Sequence, residues 1–292
     1  MAPLQGYNGQ VETRRMCPNC RAFITTSDKV CPYCDLVLGR PAVEVRNTGD
    51  LIAGIIPSDR FVTSIIMLIN IGLYIAMVMH MQGTGKANLL DFDGRTLFDF
   101  GAKFGPAVRA GQWWRLITAG FLHGGLIHIA MNSWVLWDLG AQVEENFGTP
   151  RYLLIYLFAT FTGFFASFYW NPGLSIGASA GIFGLIGAMI ALGRRSGTLY
   201  GRAVSSHYTR WAAIMIGLGL LPTGMLFGMA FDNAAHIGGL AGGFAIGWVA
   251  GTPQRTGALE HLWRAAGWIS VAVTLVCFYY MARWLMIANA NA

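Results

Sequence analysis

The chain has 292 residues, of which 54% are hydrophobic and only 12% charged, and its mean hydropathy is +0.48. That balance argues against a soluble or disordered chain and points to an all-α polytopic membrane protein. The formal net charge of +6 is dispersed among loops and not gathered into a basic, aromatic-interleaved stretch, which argues against nucleic-acid binding.

The N-terminal region carries Cys17-Pro18-Asn19-Cys20 and Cys31-Pro32-Tyr33-Cys34, two C-x-x-C pairs separated by ten residues. Four thiolates at that spacing suit one tetrahedral ion, so residues 14–38 are predicted to form a small zinc ribbon with a structural zinc on Cys17, Cys20, Cys31 and Cys34. A reducing location disfavours the alternative of two disulfides, and nothing nearby suggests an electron-transfer partner for a rubredoxin-type iron site. So small a module buries little core, and the metal would supply its folding energy. Residues 39–60 read as a linker interrupted by Pro41, Gly49 and Pro57. The first sixty residues are polar, so no cleavable signal is read and the first hydrophobic span is expected to be an uncleaved anchor.

Seven spans follow in chain order, near Phe61–Met81, Leu116–Leu139, Tyr152–Trp170, Ile176–Gly193, Tyr208–Gly228, Phe231–Ala250 and Gly267–Ile287. Each is long enough to cross about 30 Å of hydrocarbon as a helix. Arginines and lysines concentrate in the N-terminal region and in alternate loops (Arg151, Arg194, Arg195, Arg202, Arg210, Arg255, Arg264), which predicts a cytoplasmic N-terminus. The first outside loop, residues 82–115, mixes Phe92, Leu97, Phe98, Phe100 and Phe104 with charges; it is expected to lie partly in the interface, anchored by Trp113 and Trp114. Cys277, in the last span, reads as a packing residue.

Polar residues within such spans are the candidates for chemistry. Ser179 lies in Gly177-Ala178-Ser179-Ala180-Gly181, His236 in Ala235-His236-Ile237-Gly238-Gly239, and His123, His128 and Asn132 in the second span. With the N-terminus inside, spans two, four and six all begin outside, so these residues share one depth just below the outer surface. Small residues beside Ser179 and His236 would let helices four and six pack backbone to backbone, bringing a hydroxyl within about 3 Å of an imidazole. His128 and Asn132 are four apart and share a helical face, and their N–H groups could stabilise a tetrahedral oxyanion. Taken singly, each residue also has a packing explanation: a small-residue stripe for Ser179, a buried histidine for His236, an interhelical hydrogen bond for Asn132. Asp232, four before His236, invites a triad, but an aspartate there can equally remain hydrated or cap the sixth helix.

Together these motifs resemble the rhomboid family of intramembrane serine proteases: Trp114-Arg115 in the first outside loop, His123, His128 and Asn132 at the family's spacing, Gly177-Ala178-Ser179 opening a short helix, and Ala235-His236 followed by Gly239 and Gly243. The resemblance covers about residues 61–250. It implies a six-helix core followed by one extra C-terminal helix in residues 251–292. It implies Ser179 as nucleophile, His236 as general base, and an oxyanion hole of His128, the Asn132 side chain and the Ser179 N–H, with His123 supporting. It also implies a mobile fifth span, with a lid at Met229–Asn233.

The chain departs from the family at two positions. Ala180 stands where glycine usually follows the serine, and its methyl is expected to crowd the oxyanion pocket slightly. Phe183 stands where a tyrosine often stacks on the catalytic histidine, and it keeps the ring face. The implied partners are transmembrane protein substrates, the lipid bilayer and a cytoplasmic partner of the ribbon, with no cofactor for catalysis. The alternatives are a rhomboid-like pseudoprotease that binds membrane clients, disfavoured by the intact serine and histidine, and a transporter, disfavoured by the lack of charge at mid-membrane.

Overall fold

A computed structural model describes residues 14–17, 20, 22–25, 28–36, 38, 60–83, 89–221, 231–252 and 258–290. The chain divides into two compact units, residues 1–55 and 56–292. In the first, strands β1 (Arg14–Met16) and β2 (Phe23–Thr25) pair antiparallel with Arg15 opposite Ile24. A tight return brings the Cys17 N–H onto the Ala22 carbonyl at 2.9 Å, and another brings the Cys31 N–H onto the Leu36 carbonyl at 2.8 Å. The small core consists of Cys17, Ile24, Cys31 and Leu38. The linker at 39–59 lies outside the described residues.

Most described residues of the second unit lie in helices. Helix α1 (Phe61–Gly83) is followed by three short helices, α2 (Gly94–Asp99), α3 (Gly105–Arg109) and α4 (Arg115–Thr118), and then by α5 (Leu126–Trp170), α6 (Ser179–Arg195), α7 (Leu199–Leu220), α8 (Asn233–Ala250) and α9 (Ala258–Ala290). Helix α5 is two arms, because Gly148 takes a left-handed φ of 70° and Pro150 follows it. Each arm, 126–147 and 149–170, spans about 33 Å at 1.5 Å per residue. By length and composition, α1, α5 and most of α9 are each able to cross a membrane.

Helix α6 forms the centre of the unit: 13 of its 17 residues are buried. Glycines let its neighbours reach its backbone. A Cβ at Gly243 of α8 would lie 1.9 Å from the Gly184 carbonyl oxygen, and one at Gly239 would lie 2.2 Å from that of Ala180, so only glycine permits this approach. Cys277 is fully buried in the main apolar core, as a packing residue should be.

Two sequence expectations need correction. The second span starts at Leu126 and not at Leu116, because residues 115–121 fold into α4 and a 3-10 turn that lie in the preceding loop. Within that loop Trp113 is half exposed, but Trp114 is buried and does not anchor an interface. Its indole face is occupied by the Arg115 guanidinium, 4.6 Å from the ring centroid. Arg115 is itself buried; one terminal nitrogen donates to the carbonyls of Phe98 at 2.6 Å and Ala102 at 3.0 Å, and its Nε donates to the Gln112 side chain at 2.6 Å.

Candidate active site

Ser179 is the first residue of α6, and the loop before it sets its direction. Gly177 has φ +125°, a conformation that favours glycine, and its N–H donates to the Ala119 carbonyl at 2.9 Å. The Ser179 N–H belongs to the first turn of the helix, where amide donors lack intrahelical partners and the positive end of the helix dipole lies. The serine is half-buried.

His236 lies one turn inside α8. Asp232 caps that helix: its carboxylate accepts the Ala235 N–H at 3.1 Å, and its backbone carbonyl accepts the His236 N–H at 3.1 Å. Close packing of α6 and α8 places His236 Nε2 3.0 Å from Ser179 Oγ. The imidazole stacks on Phe183 with centroids 4.3 Å apart and planes 10° from parallel, and Phe231 approaches its edge at 6.4 Å. Buried His236 Nδ1 has no hydrogen-bond partner among the described residues, so Asp232 does not complete a contact triad.

The first arm of α5 carries two more polar groups, His128 and Asn132. His128 Nδ1 accepts the Gly124 N–H at 3.4 Å, which leaves the proton on Nε2. That nitrogen points at Gly177, where a Cβ would lie 2.9 Å from it and 3.5 Å from Ser179 Oγ. The Asn132 side-chain nitrogen is buried with no hydrogen-bond partner among the described residues, a free donor. His123 precedes the helix, is fully buried, and sets its ring edge-on to that of His128 at 5.1 Å. An imidazole acceptor beside a hydroxyl, with the His128 N–H facing the glycine two residues before that serine, is a constellation able to generate and stabilise an oxyanion.

The Ala180 methyl does not crowd this pocket. It points to α5, in a cluster with Phe164 and Ala235, and faces Gly163, where a Cβ would lie 2.8 Å from it. Of the lid at Met229–Asn233, residues 229 and 230 lie outside the described residues. Sequence reasoning missed Lys103, Ser167 and Asn171, which form a polar network with Asp232 at this end of the helices. Their signal was faint, since a loop lysine and two helix-end polar residues are ordinary surface features.

In the N-terminal unit the sulfurs of Cys17, Cys20, Cys31 and Cys34 all lie within 4.8 Å of one another, with Cys17 to Cys34 at 3.7 Å and Cys20 to Cys31 at 3.6 Å. None is in a disulfide. Tetrahedral zinc with Zn–S bonds of about 2.3 Å requires S···S edges of about 3.8 Å, so the cluster fits such an ion.

Residues 110–253 match the family model described as the Rhomboid domain. The chain is 36% identical over 201 residues to the rhomboid protease GluP of Bacillus subtilis (strain 168), covering 69% of this chain and 38% of that protein. It is 37% identical over 172 residues to RHOMBOID-like protein 4 of Arabidopsis thaliana, covering 58% of this chain and 42% of the relative. Against RHOMBOID-like protein 6, mitochondrial, of the same plant it is 37% identical over 145 residues, 49% of this chain and 45% of the relative. The chain thus spans about two fifths of the length of the curated relatives it matches. With a Rhomboid domain that contains His123, His128, Asn132, Ser179 and His236, this integral membrane protein belongs to the rhomboid family.

Proposed function

We propose that the protein is an intramembrane serine endopeptidase that cleaves transmembrane segments of membrane proteins with Ser179 as nucleophile and His236 as general base. The observation that carries this reading is the 3.0 Å contact between His236 Nε2 and Ser179 Oγ, with the imidazole held flat against Phe183. As Oγ attacks the scissile carbonyl carbon, Nε2 takes its proton; the oxyanion so formed receives hydrogen bonds from the Asn132 side chain, His128 Nε2–H and the Ser179 N–H, with His123 supporting His128. The imidazolium then protonates the departing amine, and a water deprotonated by the same nitrogen releases the acyl group from Oγ. An intact substrate helix hides its carbonyls in its own hydrogen bonds, so the cut segment unwinds locally and carries small or helix-weakening residues. The fifth span, whose described part lies in α7, acts as the gate that admits the substrate, with Met229–Asn233 as the lid.

The four N-terminal thiolates bind one structural zinc on the cytoplasmic side. The chain is organised as ribbon 14–38, linker 39–60, core 61–250 and extra helix 251–292, with a ribbon partner in the cytoplasm. A fluorophosphonate labels the wild-type protein, and Ser179→Ala or His236→Ala abolishes labelling and cleavage in a folded protein. Cleavage that survives in Ser179→Ala refutes the nucleophile. A protein that is labelled but cuts no membrane substrate is instead a client-binding rhomboid-like protein.

A further inference from the structure

A second set of polar side chains gathers near the dyad without touching it. Lys103, between α2 and α3, is fully buried, and its backbone forms an isolated antiparallel bridge with Ser175, in the loop that leads to Ser179. Its ammonium donates to the carbonyls of Asn171 at 2.5 Å and Gly173 at 3.0 Å. Asn171 is the C-cap of α5, so the cation sits at the negative end of a helix dipole. The Asn171 side-chain amide donates to Asp232 at 3.3 Å, and the buried Ser167 hydroxyl donates to the same carboxylate oxygen. The other oxygen accepts the Ala235 N–H, and the Asp232 carbonyl holds the His236 N–H. A buried ammonium and a half-buried carboxylate are therefore joined across Asn171, one gripping the segment that delivers Ser179 and the other the turn that delivers His236.

Packing alone does not account for this pair. Removing two charges from water is costly, and apolar residues of similar size often stabilise such a position equally well or better. Burial pulls the Lys103 ammonium down to about 8, with the Asp232 charge opposing that pull. The Asp232 carboxylate accepts hydrogen bonds from the Ser167 hydroxyl, the Asn171 amide and the Ala235 N–H. The Asp232 charge thus favours the ionised form of Lys103.

We propose that Lys103 and Asp232 are a charge-paired positioning couple for the reaction of Ser179 and His236. They hold the 171–178 loop and the first turn of α8 in register, and the Asp232 carboxylate, four positions before His236, favours the imidazolium that forms when His236 takes the serine proton. Neither residue touches the reacting atoms. The proposal rests on the protease reading above.

A double-mutant cycle on the full chain in detergent tests it. The readouts are the rate of fluorophosphonate inactivation, kcat and KM for a transmembrane substrate, and Tm. Asp232→Asn retains a cap and an acceptor and so keeps the fold where Asp232→Ala would endanger it. It is expected to slow inactivation and kcat about tenfold to a hundredfold with KM unchanged. Lys103→Met slows both as well, and the double variant loses clearly less than the product of the single losses. Unchanged rates in a labelled Asp232→Asn protein overturn the proposal alone, as do losses that simply multiply or that follow Tm. A wild-type chain that the reagent never labels overturns the protease reading, and the proposal falls with it.

Discussion

Gly163 of α5 and Ala180 of α6 are a matched pair: a Cβ at 163 would lie 2.8 Å from the Ala180 methyl and 2.7 Å from the Ala235 carbonyl oxygen. The methyl that follows the nucleophile is accommodated by the absence of one on the neighbouring helix. Gly163→Ala therefore overfills the junction of α5, α6 and α8, with an expected cost of about 1–3 kcal/mol and a loss of cleavage as the Ser179–His236 contact opens. Ala180→Gly is expected to keep cleavage within a few-fold and to lower stability by about 1 kcal/mol, the helical glycine effect. Thermal melts and cleavage rates of the two variants check both arms. A large activity gain in Ala180→Gly would mean that the methyl does obstruct the oxyanion pocket.

The oxyanion donors make a separable prediction. The Asn132 side-chain nitrogen is buried without a hydrogen-bond partner among the described residues, and His128 carries a proton on the nitrogen that faces Gly177. Asn132→Ala and His128→Ala are each expected to lower kcat by about tenfold to a thousandfold, with little change in KM, because the donors act as charge develops on the carbonyl oxygen. Steady-state kinetics on a transmembrane substrate measures this. Unaltered kcat in both would assign these side chains to packing.

Much of this candidate site is legible in the sequence because serine and histidine stand out inside apolar segments, and the glycines of α8 announce a backbone contact. Phe183 is legible too, since its place one turn after Ser179 puts its ring on the same helical face. The folded loop before α5 is not legible. Hydropathy extends the second span back to Leu116, whereas residues 115–121 are held by Arg115, whose burial depends on two distant carbonyls and an aromatic face. Lys103 is hidden for the same reason: its partners at 171 and 173 are far away in sequence, and no local pattern marks a lysine destined for a helix C-terminus.

At the kink of α5, Arg151 ties the C-terminal helix to its second arm. Its guanidinium meets Glu260 of α9 at 2.9 and 2.6 Å, donates to the Ala250 carbonyl at the end of α8 at 3.3 Å, and lies over Trp263. Arg151 is 3% exposed. Glu260→Ala leaves a buried cation unpaired, with an expected loss of about 3 kcal/mol, whereas Arg151→Met with Glu260→Leu is expected to lose much less. Melting in detergent distinguishes them, and equal losses would show that the ion pair adds nothing.

The Lys103 ammonium also predicts a pH response. Its folded value of about 8 lies below the ordinary lysine value of 10.5, so between these values the unfolded chain binds the proton and the folded chain does not. Stability from this group therefore rises as pH increases from about 8 to 10.5, and below pH 8 the cost of burying the charge is fully present. Lys103→Met is expected to flatten that rise in Tm. An identical alkaline rise in the variant would assign it to other groups.

The cysteine cluster gives the last prediction. Four sulfurs within 4.8 Å, two of their edges at 3.7 and 3.6 Å, should retain one zinc per chain through purification. Among the described residues the buried core of that unit is Cys17, Ile24, Cys31 and Leu38, with Cys34 and Leu36 packed against it, which is too little to offset the entropy of ordering about twenty-five residues, so the metal is expected to carry its folding. Chelation or Cys→Ser changes are then expected to unfold residues 14–38 while the helical unit retains its melting transition. A chain starting near Leu51 is expected to keep cleaving substrate in detergent, because each residue assigned to the chemistry lies at or beyond position 123. Metal analysis combined with that truncation separates the two halves of the claim. A metal-free, folded N-terminal unit removes the zinc, and a folded but inactive truncation shows that the ribbon controls the active site.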